Sequence, residues 1–424
     1  MDRYPALRSM HPALMPHFSS ALLDRYSEFA TEHSGNADLA QALLEDSCRL
    51  GASDIHIEPH RSGTRIRIRL DGVVRDICHL PTEIGKVLVN QFKALANLDP
   101  IIRFTPRDGH ARFEHRKASV DLRLALAPVL DRETLTVRIL DPLRLERSIH
   151  DLGFASAHIT LLSQWINDIN GLFVATGPTG SGKTTTLYAL LHSLKLLNKV
   201  ILSLEDPVEY QIDGVSQIQI DELHHFQFAD GIKAVLRHDP DYMMVGEMRD
   251  AESAHTAVRA AIAGRVLLTT LHSRDCVGTI SALRNWGLND HEIAESLSVV
   301  LSQRLVRKLC SDCSERKSPE RFQQEWFQSL DIDCPAHFWE SKGCEKCHQL
   351  GVRGRTGVFE LWRLQPEDCQ AIIQHADEHR LRAWLNDRGH RFLFTEALEL
   401  LTQGAISFEE FRRVVAGTLL TTTE

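Results

Sequence analysis

The sequence lacks the long apolar runs, the export signal and the low-complexity segments that mark membrane-spanning, secreted or disordered chains. No stretch of its 424 residues approaches the roughly 18 consecutive apolar residues that cross a bilayer. The opening residues, Met-Asp-Arg-Tyr-Pro, hold no basic segment followed by an apolar core, so we expect a soluble, cytosolic protein. Hydrophobic residues at 43% and charged residues at 25% are ordinary globular usage.

An excess of positive charge and an even set of cysteines are also missing. The 48 Lys and Arg residues against 57 Asp and Glu give a net charge of −9. That balance argues against a chain whose main partner is nucleic acid or anionic lipid. The nine cysteines are an odd number, and without an export signal they make a poor disulfide framework. Four of them form two close pairs, which indicates a metal site.

A change in hydrophobic period marks a first domain, which we expect over 37–142. Alternating apolar and polar residues at 54–58 and 64–70 predict a β-hairpin. A helix is expected at 82–97, and three further strands are expected at 111–116, 119–126 and 134–140. These elements predict a small α+β domain, preceded by a short helical leader over 1–36.

The segment 143–169 is interpreted as a linker and the start of a second domain, and the pattern after it is that of a parallel sheet. Apolar strand-like runs within 170–308 alternate with helical stretches, which is typical of βαβ units. A cysteine-bearing insert follows over 309–356, and helical segments occupy 357–424. The length fits two domains with appendages.

A phosphate-binding loop follows the first strand of that sheet. The segment from Gly177 to Thr184 matches G-x-x-x-x-G-K-[ST], between an apolar strand at 172–176 and a helix that begins near Lys183. The glycines let backbone N–H groups converge on phosphates at a helix N-terminus, Lys183 adds positive charge, and Thr184 offers a hydroxyl to Mg²⁺. The predicted nucleotide-binding residues are Gly177, Pro178, Thr179, Gly180, Ser181, Gly182, Lys183, Thr184 and Thr185. The sequence therefore predicts a nucleoside triphosphate site.

Polar residues at the ends of neighbouring strands are candidates for hydrolysis, because a doubly wound sheet binds ligands at the C-terminal ends of its strands. Two apolar strands end in the acids Glu205 and Glu247, and a third ends at His272. Gly246 precedes Glu247 where a Walker B strand usually ends in Asp, so we expect Glu247 to orient water. Mg²⁺ would be held by Thr184, with Glu205 and Glu247 contributing directly or through water. For His272, phosphate sensing and a structural role are equally open.

Two cysteine pairs form a CxxC…CxxC pattern with 30 residues between the pairs: Cys310, Cys313, Cys344 and Cys347. Each pair can supply two thiolates to a tetrahedral ion, and the cost of closing a longer spacer grows only logarithmically. The pattern predicts a structural Zn²⁺ site, with a redox or plain buried-thiol role as the weaker alternative.

Six blocks, in this order, resemble the ATPases of type II secretion and type IV pilus assembly. They are Gly-Ala-Ser-Asp-Ile-His-Ile-Glu-Pro (51–59), the phosphate loop (177–185), Glu-Asp-Pro-Val-Glu (205–209), Asp-Pro-Asp with Gly-Glu-Met-Arg-Asp (239–250), Thr-Leu-His (270–272) and Gln-Arg-Leu-Val-Arg-Lys-Leu-Cys (303–310). The resemblance covers about 37–424. It implies an α/β fold in which a RecA-like P-loop ATPase domain is joined to a smaller, PAS-like α+β domain and a four-cysteine zinc module.

The resemblance also implies roles for individual residues. It maps an Asp box onto Glu205, Asp206 and Glu209, the Walker B acid onto Glu247, and a His box onto His272. ATP, Mg²⁺ and structural Zn²⁺ are the implied cofactors.

Two arginines of the N-terminal domain align with family arginines that reach the γ-phosphate. They are Arg123, in Val-Asp-Leu-Arg, and Arg138, in Val-Arg-Ile-Leu-Asp. Taken without the resemblance, arginines on alternating strands are usually a solvated face. An arginine that neutralises transition-state charge accelerates hydrolysis by about 10³–10⁵ in GTPase systems, and it would couple hydrolysis to domain rotation.

The chain also departs from the family pattern. Arg265 stands where the family has the first histidine of its His box, so we expect one phosphate-proximal group to differ. The leader before residue 37 is too short for the N-terminal docking domain of full-length relatives, which leaves the membrane platform open.

The resulting prediction is a homo-hexameric, Mg²⁺-dependent ATPase that powers assembly of a type IV pilus or a type II secretion pseudopilus. Its partner would be an inner-membrane platform protein, which would hold it peripherally at the cytoplasmic face of the inner membrane, and no nucleic-acid ligand is expected. One alternative is a RecA-like nucleic-acid motor, against which the −9 charge and the lack of an aromatic-basic stripe argue. The other is a catalytically idle ring subunit, which Arg265 and the short leader would favour.

Overall fold

The structure is a computed structural model that describes residues 38–101, 105–116, 118–141, 147–167, 171–195, 198–221 and 226–416. The chain divides into two compact units. The first comprises 1–145, 310–313 and 342–353, and the second comprises 146–309, 314–341 and 354–424. The predicted leader over 1–36 and both ends of the predicted linker lie outside the described residues.

In its described residues, the first unit has a six-stranded antiparallel sheet and two α-helices. The strands are β1 (Asp54–His60), β2 (Gly63–Leu70), β3 (Val73–Leu80), β4 (Arg107–His115), β5 (Ala118–Val129) and β6 (Arg132–Leu140), and the helices are α1 (Leu39–Leu50) and α2 (Thr82–Leu95). Their order across the sheet is β3-β2-β1-β6-β5-β4. Because successive side chains of a strand point to opposite faces, alternate residues such as Ile55, Ile57 and Val137 form one buried apolar cluster with Leu88 and Phe92 of α2.

The predicted hairpin, the three further strands and the helix of this unit are confirmed. Strands β1 and β2 pair from Asp54 opposite Arg69 to His60 opposite Gly63. The helix ends at Leu95, two residues before the expected limit, and Asn97 then takes a left-handed φ of 54°. A residue in that conformation cannot continue a right-handed helix.

The second unit is built on a seven-stranded sheet. The strands of this sheet are β7 (Leu172–Thr176), β8 (Ile201–Glu205), β9 (Ser216–Gln219), β10 (Tyr242–Val245), β11 (Val266–Leu271), β12 (Leu297–Leu309) and β15 (Val352–Arg363). The unit also holds a separate two-stranded sheet of β13 (Ser314–Lys317) and β14 (Phe338–Ser341). The order is β15-β12-β7-β11-β10-β8-β9, and from β12 to β9 all neighbours run parallel. Every residue of β7, β8, β10 and β11 is buried, as expected for parallel strands covered on both faces.

Helices connect and flank these strands. They are α3 (Ser156–Asn167), α4 (Lys183–Leu194), α5 (Phe228–Val235), α6 (Ala251–Ile262), α7 (Cys276–Asn285), α8 (Asp290–Ser296), α9 (Arg321–Gln328), α10 (Pro366–Ile373), α11 (Glu378–Asp387), α12 (Leu393–Thr402) and α13 (Phe408–Val415). The segment 143–169, interpreted as a linker and the start of the second domain, contains helix α3, which buries Leu162 and Trp165. Within the described ranges, no helix is both long and apolar enough to cross a membrane.

Candidate functional site

The loop between β7 and α4 curls because three glycines take positive φ values: Gly177 at 144°, Gly180 at 77° and Gly182 at 90°. L side chains rarely adopt these conformations. At Gly177 a Cβ would also lie 2.4 Å from the carbonyl oxygen of Gln303 and 2.9 Å from Ser181 Oγ, so a side chain does not fit. Gly182 is the N-cap of α4, and its neighbouring N–H groups remain available to a ligand at the helix N-terminus.

Lys183 is folded back onto the loop that precedes it. Its Nζ lies 2.8 Å from the carbonyl oxygen of Gly177 and 3.5 Å from Nδ1 of His272, and the residue is only 9% exposed. Burial lowers the pKa of this ammonium, the Glu247 carboxylate raises it, and the Arg304 guanidinium lowers it. The positive charge is therefore held in a poorly solvated place where an anion would stabilise it.

The ends of β10 and β11 meet beside this loop. His272 follows β11, and its Nδ1 lies 3.2 Å from the carbonyl oxygen of Gly177, while its Nε2 lies 2.9 Å from Glu247 Oε1. Gly246, between β10 and Glu247, donates its N–H to the carbonyl oxygen of Leu204 at 2.7 Å. A Cβ at this glycine would lie 3.3 Å from that oxygen. The glycine thus allows the acid-bearing end of β10 to stand close to β8.

Glu205, at the end of β8, is 3% exposed and sits inside a hydrogen-bond network. Its Oε1 accepts from the Ser203 hydroxyl at 2.5 Å and from Gln217 Nε2 at 3.0 Å, and its Oε2 accepts from the Tyr188 hydroxyl. The Tyr188 oxygen accepts in turn from the Glu209 N–H at 3.2 Å. Burial and then the Glu205 carboxylate raise the pKa of Tyr188. The network joins α4, the helix of the phosphate loop, to the acidic segment after β8.

Arg249 links two of the predicted acids and was not singled out by the sequence analysis. Its Nε lies 3.1 Å from Glu247 Oε2, and its Nη1 lies 2.8 Å from Asp206 Oδ2. The available signal was its place two residues after Glu247, inside the Gly-Glu-Met-Arg-Asp block. The strand ends therefore form a charged group with both signs represented.

The position of Arg265 corrects one expectation. It precedes β11, and its Nη1 lies 3.1 Å from Asp239 Oδ1 and 3.2 Å from the carbonyl oxygen of Pro240. His272 follows the same six-residue strand, which at about 3.3 Å per residue is about 20 Å long. Arg265 and His272 therefore lie at opposite ends of β11, and Arg265 is not close to the phosphate loop of its own chain.

Arg123 and Arg138, the two predicted arginines of the first unit, are neighbours. They stand directly opposite each other on β5 and β6. Arg138 Nε lies 3.2 Å from Asp54 Oδ1, and Arg69 Nε lies 3.5 Å from Asp54 Oδ2. The side chain of Arg138 is 60% exposed. The sheet thus brings both arginines to one row on its polar face.

The four predicted metal ligands converge in the first unit. All four Sγ atoms lie within 4.8 Å of one another. The distances are 3.8 Å for Cys310 to Cys344, 3.9 Å for Cys313 to Cys347 and 3.7 Å for Cys344 to Cys347. Thiolates about 2.3 Å from a tetrahedral zinc ion are about 3.8 Å apart, so the cluster fits structural Zn²⁺.

The phosphate loop also fits its implied ligand. The hydroxyl of Ser181 is buried and has no hydrogen-bond partner in the part of the chain that the structure describes. Pro178, Thr179, Gly180 and Thr184 are exposed, and Thr185 is half-buried. An accessible loop with an unpaired hydroxyl, free helix N–H groups and a desolvated cation is suited to a phosphate chain with its magnesium.

Comparison with known proteins places these features in a family context. The sequence profile described as "Type II/IV secretion system protein" matches residues 30–413. A putative type II secretion system protein E of Escherichia coli (strain K12) is 36% identical over 383 residues, 90% of this chain and 77% of its own length. The type II secretion system ATPase E of Vibrio cholerae is 36% identical, covering 89% of this chain and 74% of its own. The type IV pilus assembly ATPase PilB of Acinetobacter baylyi is 35% identical, covering 88% and 65%.

Solved structures give the same answer for the fold. The ATPase DotB of Legionella pneumophila superposes with a TM-score of 0.64 at 21% identity, covering 89% of this chain and 95% of that chain. The pilus retraction motor PilT with bound ADP superposes with a TM-score of 0.60 at 22% identity, covering 88% and 96%. The predicted fold class, a RecA-like P-loop domain with a smaller PAS-like α+β domain, is confirmed.

Proposed function

This chain belongs to the type II/IV secretion system protein family, and on that premise we propose that it powers assembly of a type IV pilus or a type II secretion pseudopilus. It is an ATP-hydrolysing enzyme of that family. What the hydrolysis drives, and which residues perform it, are the proposed part.

One observation supports the proposed chemistry most directly. His272 contacts Glu247 at 2.9 Å on one ring nitrogen, and the carbonyl oxygen of Gly177 at 3.2 Å on the other. A carboxylate is thereby held beside the phosphate loop and beside the ammonium of Lys183. General-base or water-orienting catalysis needs an acidic group in such a place.

We propose the following roles at the strand ends. The loop amides, Lys183 and the Thr184 hydroxyl bind the phosphates and Mg²⁺, and Glu247 orients the attacking water with His272 fixing its carboxylate. Glu205 acts on magnesium through water only, because both its oxygens already accept hydrogen bonds from protein donors.

Arg123 and Arg138 are proposed to neutralise negative charge that develops on the γ-phosphate. Their shared row on the polar sheet face allows both to approach a phosphate together. Release of phosphate would end that attraction, so the first unit would move with each hydrolysis cycle.

The assembly context is proposed from the relatives, whose names refer to type II secretion and type IV pilus assembly. We propose a homo-hexameric ring at the cytoplasmic face of the inner membrane, held there by a membrane platform protein. Zinc in the four-cysteine cluster would have a structural role, because four thiolates leave no open coordination position.

The test compares phosphate release and nucleotide binding by the wild type, Glu247→Gln and Glu252→Gln. We expect Glu247→Gln to bind Mg-ATP with unchanged affinity and to lose hydrolysis by about 10²-fold or more. Glu252 is an exposed residue on α6 that pairs with Lys233, and its variant should match the wild type. A wild type that does not bind Mg-ATP would refute the proposal.

A further inference from the structure

Gln303, on β12 beside β7, is a buried polar residue in contact with the phosphate loop. It is 2% exposed, and it follows the buried residues Val300, Leu301 and Ser302 on the same strand. An uncharged amide in such a place loses its contacts with water, so it must find partners in the protein.

Both ends of the Gln303 amide have such partners, and both belong to the phosphate-loop segment. Its Nε2 donates to the carbonyl oxygen of Ser181 at 2.7 Å, inside the loop. Its Oε1 accepts from the hydroxyl of Thr186 at 2.9 Å, on the first turn of α4. Thr186 is 1% exposed. One side chain from a neighbouring strand thus connects the loop to the helix that follows it.

The backbone of Gln303 is close to the loop as well. A Cβ at Gly177 would lie 2.4 Å from the Gln303 carbonyl oxygen, and a Cβ at Gly182 would lie 3.3 Å from its Nε2. The start, the middle and the end of the loop therefore all lie against this one residue.

We propose that Gln303 is a positioning residue for nucleotide binding, which holds the phosphate loop in its anion-binding conformation before the ligand arrives. The proposal rests on ATP hydrolysis at this loop. A loop that is ordered in advance does not have to give up conformational freedom when phosphate binds, so its affinity is higher. The backbone N–H groups of the loop contact the phosphates both before and during the reaction. Losing the fixed loop conformation should therefore weaken ground-state and transition-state binding alike.

The test measures ADP affinity, the KM for ATP and kcat in four variants of the full chain. In Gln303→Ala both hydrogen bonds are lost, and we expect ADP Kd and ATP KM to rise about tenfold while kcat stays within threefold. Gln303→Glu keeps the shape and the acceptor for Thr186 but places an oxygen against the Ser181 carbonyl. Its effect should be at least as large as that of alanine.

Two further variants separate positioning from general stability. Gln323→Ala removes an equally buried glutamine, 2% exposed, whose side chain accepts from the Glu320 N–H at the start of α9. It should lower the melting temperature and leave Kd and KM unchanged. Thr186→Val removes one of the two hydrogen bonds at nearly constant volume, and we expect a two- to threefold rise in Kd.

These measurements distinguish a failure of the positioning role of Gln303 from a failure of the proposed nucleotide site. A wild type without ADP or ATP affinity contradicts the nucleotide site itself. A wild type that binds, with Gln303→Glu and Thr186→Val folded and binding ADP as tightly as it does, contradicts the positioning role. A Gln323→Ala variant that weakens ADP binding as much as Gln303→Ala also contradicts it, because the effect would then be one of stability.

Discussion

The strand ends of the second unit and the polar sheet face of the first unit are both rich in charge, but they hold it differently. Lys183 and Glu205 are 9% and 3% exposed, and each has protein hydrogen-bond partners. Arg138 has a side chain that is 60% exposed and reaches Asp54 at 3.2 Å. A buried polar network has one satisfied arrangement, whereas an exposed guanidinium exchanges its partner for water at little cost. The first arrangement suits a site that binds, and the second suits groups that approach and withdraw.

The polar face of the first unit shows how an antiparallel sheet collects such groups. Arg69, Asp54, Arg138, Arg123 and His110 come from five neighbouring strands and stand side by side in register. Antiparallel register therefore makes a row across the sheet. In the second unit, by contrast, parallel strands present their final residues at a common edge.

The largest expected effect concerns the metal cluster, which belongs to the first unit. Cys344→Ser should remove one zinc equivalent per chain and cost the cluster about 10–16 kcal/mol of local folding free energy. Elemental analysis and limited proteolysis after Lys342 or Lys346 would measure this. ADP affinity should stay within twofold, because the cluster belongs to the first unit and the phosphate loop to the second. The control Cys334→Ser should keep its metal, and a Cys344→Ser protein that retains zinc would contradict the site.

The second prediction concerns the two arginines in the row on the polar face of the first unit. The double variant Arg123→Ala with Arg138→Ala should lower kcat by about 10³-fold, since transition-state charge would no longer be neutralised. ADP affinity should change little. Arg112→Ala is the matched control, because Arg112 is a 78% exposed arginine on β4 that pairs with Asp121. If both proteins hydrolyse ATP at the wild-type rate, the row is an ordinary solvated face.

Much of this comparison follows from sequence patterns that have local causes. The alternation of apolar and polar residues predicted β1 and β2, because one face of each strand has to be buried. The glycine spacing of the phosphate loop identified Gly177 and Gly182, since other residues rarely adopt their positive φ values. The two CxxC pairs identified the metal cluster, because a two-residue spacer allows both thiols to reach one ion.

Contacts between segments distant in sequence were not predictable in the same way. Tyr188 occupies an apolar-looking position of α4, and its partner Glu205 is 17 residues away. Gln303 lies 122 residues from Ser181 and was part of a recognised block without an assigned role. The misplaced expectation for Arg265 has the same origin, because alignment to a motif does not say which end of the strand faces the ligand.

The third prediction acts on the buried side of the comparison. Lys183→Ala should weaken Mg-ATP binding by about 10²-fold, because the alanine leaves the phosphates without their desolvated positive charge. Equilibrium binding with a fluorescent ATP analogue would measure the loss. Lys199→Ala is the control, as Lys199 is an exposed residue paired with Asp241. Equal affinities in the two variants would show that Lys183 does not contact the nucleotide.

The smallest expected effect sharpens the comparison, because it asks whether the buried network around Glu205 is structural. Tyr188→Phe removes a hydroxyl that donates to Glu205 Oε2 and accepts from the Glu209 N–H. Losing these two hydrogen bonds should cost about 1–3 kcal/mol of unfolding free energy in chemical denaturation. Hydrolysis should fall only a few fold, since Ser203 and Gln217 still hold the other oxygen of Glu205. The control is Tyr210→Phe, since the ring centroids of Tyr210 and Tyr188 lie 4.7 Å apart. It should cost less unfolding free energy, because the Tyr210 hydroxyl lies 3.5 Å from His192 Nε2, at the long limit of a hydrogen bond. A Tyr188→Phe protein as stable as the wild type would mean that water replaces the hydroxyl, and Glu205 would then be accessible enough to bind magnesium directly.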